Sequence, residues 1–161
     1  MIQFMIGQKQ ISVYPCDEPD CPVIYLNTFE GEGEQVLRIL KGGGCPPFTL
    51  VIVSGLDWNH DMSPWEIPPV FKNAEPCTGG ADEFLGLLCG KIIPETEKEI
   101  SGNVLWRGIA GYSLAGLFAL YSLYQTDIFS RIDTVFRLNP GNHYKDARER
   151  TALGIRWLLE R

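Results

Sequence analysis

A chain of 161 residues is long enough for one domain with a genuine hydrophobic core, since at this size about 70% of the unfolded surface is buried. Apolar residues make up 45% and charged residues 21%, with no low-complexity tract, which excludes wholesale disorder. Fourteen basic against twenty acidic residues leave a net charge of -6, a field that opposes phosphate backbones, so no nucleic-acid partner is expected.

Met1 to Gln10 shows no basic region leading into an apolar one, and no apolar run nears the roughly 20 residues that span a bilayer. The expectation is a soluble, cytoplasmic protein with no membrane partner. "IQFMI" and "ISVYP", separated by Gly7 to Gln10, read as an antiparallel hairpin. "CPVIYLN" and "FTLVIVSG" are apolar on both faces, as strands of a parallel sheet covered on both sides are. Between them Glu32 to Lys41 predicts a helix that Gly42-Gly43-Gly44 ends, completing a β-α-β unit. The cysteines, at 16, 21, 45, 77 and 89, are odd in number and form no C-x-x-C pair, so free thiols are expected, although Cys16 and Cys21 could meet across a turn.

Asp57 to Gly80 is rich in proline and poor in periodic apolar positions, which predicts a long irregular loop of the kind that forms lids and binding segments. Helical spacing resumes from Ala81 to Ile100, with a kink or break expected at Pro94. "NVLWRGIA" reads as a strand, Ala115 to Tyr124 as an apolar helix, "DTVFRLN" as a last strand and Ala147 to Leu159 as a last helix. Strands and helices alternate, so the predicted fold class is α/β: a single domain, a three-layer α/β/α sandwich with a mostly parallel sheet, carrying the N-terminal hairpin.

The chemistry gathers at "IAGYSLAGL". A strand ending at Ala110 and a helix starting near Leu114 leave Ser113 on the turn between them, where the backbone is strained and the nearby positions must be small, as Gly111, Ala115 and Gly116 are. The helix start aims its free N–H groups at the serine, where they can stabilise an oxyanion. A serine hydroxyl needs a base. His143, in "NPGNHYKD", follows the last strand and reaches the same sheet edge, in the chain order nucleophile first and histidine last. His60, in "DWNHDMSPW", belongs with Trp58, Asn59 and Asp61 on a segment that could wall a pocket for a small substrate. The alternative for Ser113 is a helix cap. "KGGGCPP" lacks the residues of a phosphate loop, and His60 and Asp61 find no partner at ligand spacing, so neither cofactor nor metal is expected.

"GYSLAGLFALYSLYQTDIFSR", "CTGGADEFLGLLCGKIIPETEK" and "NPGNHYKDARERTALGIRWLLER" together resemble the esterase D and enterochelin-esterase-like branch of the α/β-hydrolases, from "PVIYLNTFEGEGE" onward. The resemblance implies Ser113 as nucleophile, His143 as general base, and an oxyanion hole from the N–H of Leu114 with that of Thr28 or Phe29. It also implies roughly 70 further residues between Arg131 and Ile132, with the triad acid among them. Either the chain is a short form whose last strand moves beside the nucleophile strand, or a stretch is missing. In a short form Asp57, Asp61 or Asp146 are the candidate acids, and Asp133 lies at the wrong end of its strand. The function expected is a serine esterase acting on a small-molecule ester; the rival is a binding or dimerisation module, a homodimer covering the uncovered sheet edge.

Overall fold

The computed structural model describes residues 1–69, 72–130, 139 and 141–160. The predicted last strand, but for Asn139, and the junction of Arg131 with Ile132 lie outside the described residues. Strands β1 (Ile2–Ile6) and β2 (Lys9–Tyr14) form the expected hairpin. Strands β3 (Val23–Asn27) and β4 (Thr49–Ser54) flank helix α1 (Gly33–Gly42), giving the expected β-α-β unit. The Asp57–Gly80 segment is less irregular than expected, holding the one-turn α2 (Trp58–Asp61) and a small ladder of β5 (Glu66–Ile67) with β6 (Cys77–Thr78). There follow α3 (Ala81–Leu87), a π-helical turn (Leu88–Ile92), α4 (Ile93–Glu97), β7 (Arg107–Gly111), α5 (Leu114–Gln125) and α6 (Ala147–Leu159).

The main sheet has the order β1-β2-β4-β3-β7. It is mixed rather than mostly parallel: β3 runs parallel to β4 and to β7, while β2 pairs antiparallel with both β1 and β4. A two-residue turn can only join antiparallel strands, so the hairpin brings that direction in, and Val13 opposite Val51 shows how its apolar face carries it into the sheet. No break occurs at Pro94. The π-helical turn widens the ladder just before it, with the Ile93 N–H bonded five residues back to Leu88, so the helical path continues past a residue that lacks a donor.

Alternation along the strands sorts the core into two clusters. Val23, Tyr25, Val51 and Val53 pack with Phe84, Leu88 and Ile92 and with Ala115 and Phe118 of α5. Ile24, Leu26, Leu50 and Ile52 pack instead with Val36, Leu37 and Leu40 of α1 and with Ala152, Ile155 and Leu159 of α6. The helix that must meet Ser113 and the helix that follows His143 are thereby anchored to opposite sides of the same strands. Cys16 and Cys21 depart from the expected free thiols: they are joined as a disulfide across a short acidic loop, while Cys45, Cys77 and Cys89 are free. Among the described residues no helix is long and apolar enough to cross a membrane.

One polar chain ties the helical layer to β7 and β3. The Tyr25 hydroxyl, buried, donates to Glu97 Oε1 at 3.2 Å, and Glu97 accepts from Arg107 Nε and Nη2 at 2.6 and 2.7 Å. Burial first, and then the negative charge of Glu97, push the Tyr25 phenol well above its ordinary value of 10.0. The folded state therefore favours the protonated phenol, a contribution present below the unfolded pKa and lost as pH rises beyond it. Stability is expected to fall above about pH 10. Tyr25→Phe is expected to flatten that fall while costing about 1 kcal/mol at neutral pH, measured by urea unfolding at a series of pH values.

Candidate active site

Two residues, Tyr112 and Ser113, separate the end of β7 from the start of α5. So abrupt a reversal forces Ser113 to φ 57° and ψ -123°, a region that side chains other than glycine rarely occupy. It also presses the strand end against the first helical turn. A Cβ on Gly111 would stand 2.5 Å from the Ala115 Cβ and 2.6 Å from its carbonyl carbon and oxygen, so only glycine fits there. Ala115 is itself fully buried, which limits its size as well. The cap alternative for Ser113 does not hold, because its side chain makes no capping hydrogen bond. Its Oγ lies instead 2.9 Å from Nε2 of His143.

His143 stands on the short exposed loop before α6, and several bonds shape that loop. The Tyr144 N–H donates to Asn142 Oδ1 at 3.0 Å, and Asp146 turns into α6 through a left-handed conformation at φ 53°. The Tyr112 hydroxyl donates to the His143 carbonyl, and the two rings lie 5.2 Å apart at 32°. Arg150, one turn into α6, donates through Nη1 to the Tyr112 hydroxyl at 3.4 Å and to the Asn142 carbonyl at 3.2 Å. Neither Tyr112 nor Arg150 stands out in the sequence. One occupies the variable position of the serine turn, and the other reads as a solvated helical arginine. Among the described residues no carboxylate bonds the His143 imidazole. Asp61 is committed elsewhere, accepting from the Lys9 ammonium and from the Asp57 N–H at 2.7 Å, and among the described residues neither Asp57 nor Asp146 forms a hydrogen bond or ion pair with the ring. Asp133 lies outside the described residues.

Ser113 and His143 open onto a cleft of about 690 Å³ walled by Phe29, Trp58, Tyr112 and Tyr144. The Phe29 and Trp58 rings meet edge to face at 5.3 Å. Of the four residues read as pocket walls only Trp58 lines this cleft. Asn59 donates to the Glu75 carbonyl at 3.4 Å. His60 lies over Gly80, where a Cβ would stand only 2.2 Å from its Nε2, and bonds Thr78 Oγ1 through Nδ1 at 2.7 Å. With the Asp61–Lys9 ion pair, these contacts fasten the α2 segment to β2 and to the β5–β6 ladder. Their partners lie far away in the chain, so local reading could not find them. A second cavity of about 560 Å³ runs along β7 between α5 and α6 and touches neither Ser113 nor His143.

Of the three N–H groups expected to form an oxyanion hole, two have no acceptor among the described residues. The Leu114 N–H is the first of α5 and has no acceptor within its helix. The Thr28 N–H is already given to the Val53 carbonyl at 3.0 Å, which removes it from the expected pair. The Phe29 N–H has no acceptor among the described residues. Beneath them the Asn27 amide, 1% exposed, has neither polar atom satisfied among the described residues.

Solved structures share this arrangement of strands and helices. The BES protein from Bacillus cereus superposes with a TM-score of 0.60 at 21% identity over 80% of this chain and 59% of its own. An IroE-like serine hydrolase from Shewanella oneidensis gives 0.61 at 20% identity over 76% of this chain and 44% of its own. The siderophore hydrolase EstA from Aspergillus nidulans gives 0.55 at 21% identity over 76% and 51%. The chain has the α/β-hydrolase fold. It spans about half the length of these hydrolase-fold structures, and at such identity the likeness is one of fold. No family model matches the sequence, and no curated protein matches it.

The strain of the hydrolase-fold turn can be read as stability. Ser113→Gly, free of the positive-φ cost, is expected to be about 1 kcal/mol more stable than Ser113→Ala. Gly111→Ala is expected to cost about 3 kcal/mol, since backbone rather than a pliable side chain stands in the way. Chemical denaturation of the three variants checks both values.

Proposed function

We propose that the protein is a serine hydrolase acting on carboxylic esters of small molecules, with Ser113 as nucleophile and His143 as general base. The observation that carries this reading is the 2.9 Å approach of Oγ and Nε2 on a strained turn, where the serine makes no cap bond. In the proposed reaction Ser113 Oγ bonds to the ester carbonyl carbon as His143 Nε2 takes the hydroxyl proton. The carbonyl oxygen, now negative, is held by the N–H groups of Leu114 and Phe29, at the positive end of α5. Collapse of the intermediate breaks the ester C–O bond, and His143 returns the proton to the departing alcohol. Water then attacks the acyl-enzyme by the same route and frees the acid.

The hydrolase neighbours support an ester-cleaving activity in general, and the three-layer sandwich belongs to this reading, with helices on the two core clusters. One of those neighbours, EstA, is a siderophore hydrolase, so a siderophore ester is a substrate to assay beside simple aryl esters. The aromatic cleft suits an apolar acyl or alkoxy group, and Trp58 is its proposed substrate-binding wall.

Hydrolysis of a short-chain aryl ester is expected to fall about a thousandfold or more in Ser113→Ala, and a comparable loss is expected in His143→Ala. A fluorophosphonate is expected to add to the wild-type protein once, at Ser113. Undiminished turnover in Ser113→Ala would refute the assigned nucleophile.

A further inference from the structure

His143 sits in solvent on a loop, and among the described residues no carboxylate holds its far nitrogen. Water competes for an exposed hydroxyl–imidazole bond, so the approach to Ser113 persists only if something else orients the base. Resting on the esterase reading above, we propose that Tyr112 is the positioning residue for His143, holding the imidazole against Ser113 with Arg150 as its support.

Three contacts carry this. The phenol hydroxyl donates to the His143 carbonyl, which fixes the backbone from which the imidazole hangs. The phenol ring lies across the imidazole at 5.2 Å and 32°, which restricts rotation of the ring. Arg150 Nη1 bridges the phenol oxygen and the neighbouring Asn142 carbonyl, so two consecutive carbonyls of the loop are tethered to one guanidinium and one phenol. Tyr112 is also covalently next to Ser113, inside a turn whose conformation is already set by the Gly111–Ala115 approach. Both ends of the Oγ–Nε2 vector are thereby held by one dipeptide. In this scheme Tyr112 touches neither the reacting carbonyl nor the proton in flight. It acts through His143.

The test compares wild type, Tyr112→Phe, His143→Ala and the double variant. The readouts are fluorophosphonate labelling rate, kcat and KM on an aryl ester, and thermal stability. Tyr112→Phe keeps the ring and removes the hydroxyl, and is expected to lower labelling rate and kcat about tenfold with KM and Tm nearly unchanged. In the His143→Ala background the same change is expected to have no further effect, since there is no base left to orient. A wild-type labelling rate in Tyr112→Phe overturns the inference, as does a rise in KM alone or a loss that persists without His143. Wild-type protein that takes no label overturns the esterase reading and the inference with it, whereas a labelled wild type beside an unaffected Tyr112→Phe overturns the inference alone. Should Tyr112→Phe fail to fold, Arg150→Gln reads the same restraint. It is expected to label about threefold more slowly, and labelling at the wild-type rate there overturns the inference too.

Discussion

The site depends on one close approach of backbone to backbone, where the end of β7 meets the first turn of α5. Any side chain at 111 would separate them, the reversal would open, and Ser113 would relax out of its left-handed conformation into the helix or the strand. The two hydrophobic clusters supply the force that keeps the approach closed. Ala115 and Phe118 are buried against the face of β3 and β4 that also receives Phe84 and Leu88, and α5 cannot retreat without exposing them. Strain at one residue is thus sustained by burial spread over many, which is how protein interiors commonly maintain an unfavourable dihedral.

Where elements are local, the sequence was readable. The hairpin, the β-α-β unit and α6 follow from apolar periodicity and glycine punctuation, and α6 matches its predicted bounds. What escaped reading was set by distant partners. The antiparallel seam between β2 and β4 joins residues some forty positions apart, and no periodicity in either strand encodes its direction. The strand before the serine starts later than its apolar run suggests, because Asn103 is drawn to Asp20 and the Leu105 N–H to the Cys21 carbonyl. Pro94 predicts a kink or a break, yet the π-helical turn before it carries the helical path on, and that adjustment depends on Leu88, Ile92 and Ile93 all finding buried places.

The site divides the same way. Ser113 and His143 were visible as residue types at the ends of predicted elements, and the edge of the sheet brought them together. His60 and Asp61 carry equally reactive groups but are spent on Thr78, Gly80 and Lys9, none of which is a sequence neighbour. Thr28 looked as good a donor as Phe29 until β4 claimed its amide. Chemical type narrows the field, and hydrogen-bond occupancy selects within it.

That occupancy has a mechanical side. With Thr28 pinned to Val53, the chain leaves the sheet at Phe29, whose amide has no acceptor among the described residues and whose ring leans edge-on against Trp58. One residue therefore carries both an aromatic wall of the cleft and the first backbone donor beyond the sheet. The ring that meets Trp58 and the N–H behind it share one α-carbon, so the shape of the cleft wall and the placing of that donor are set by the same short piece of backbone.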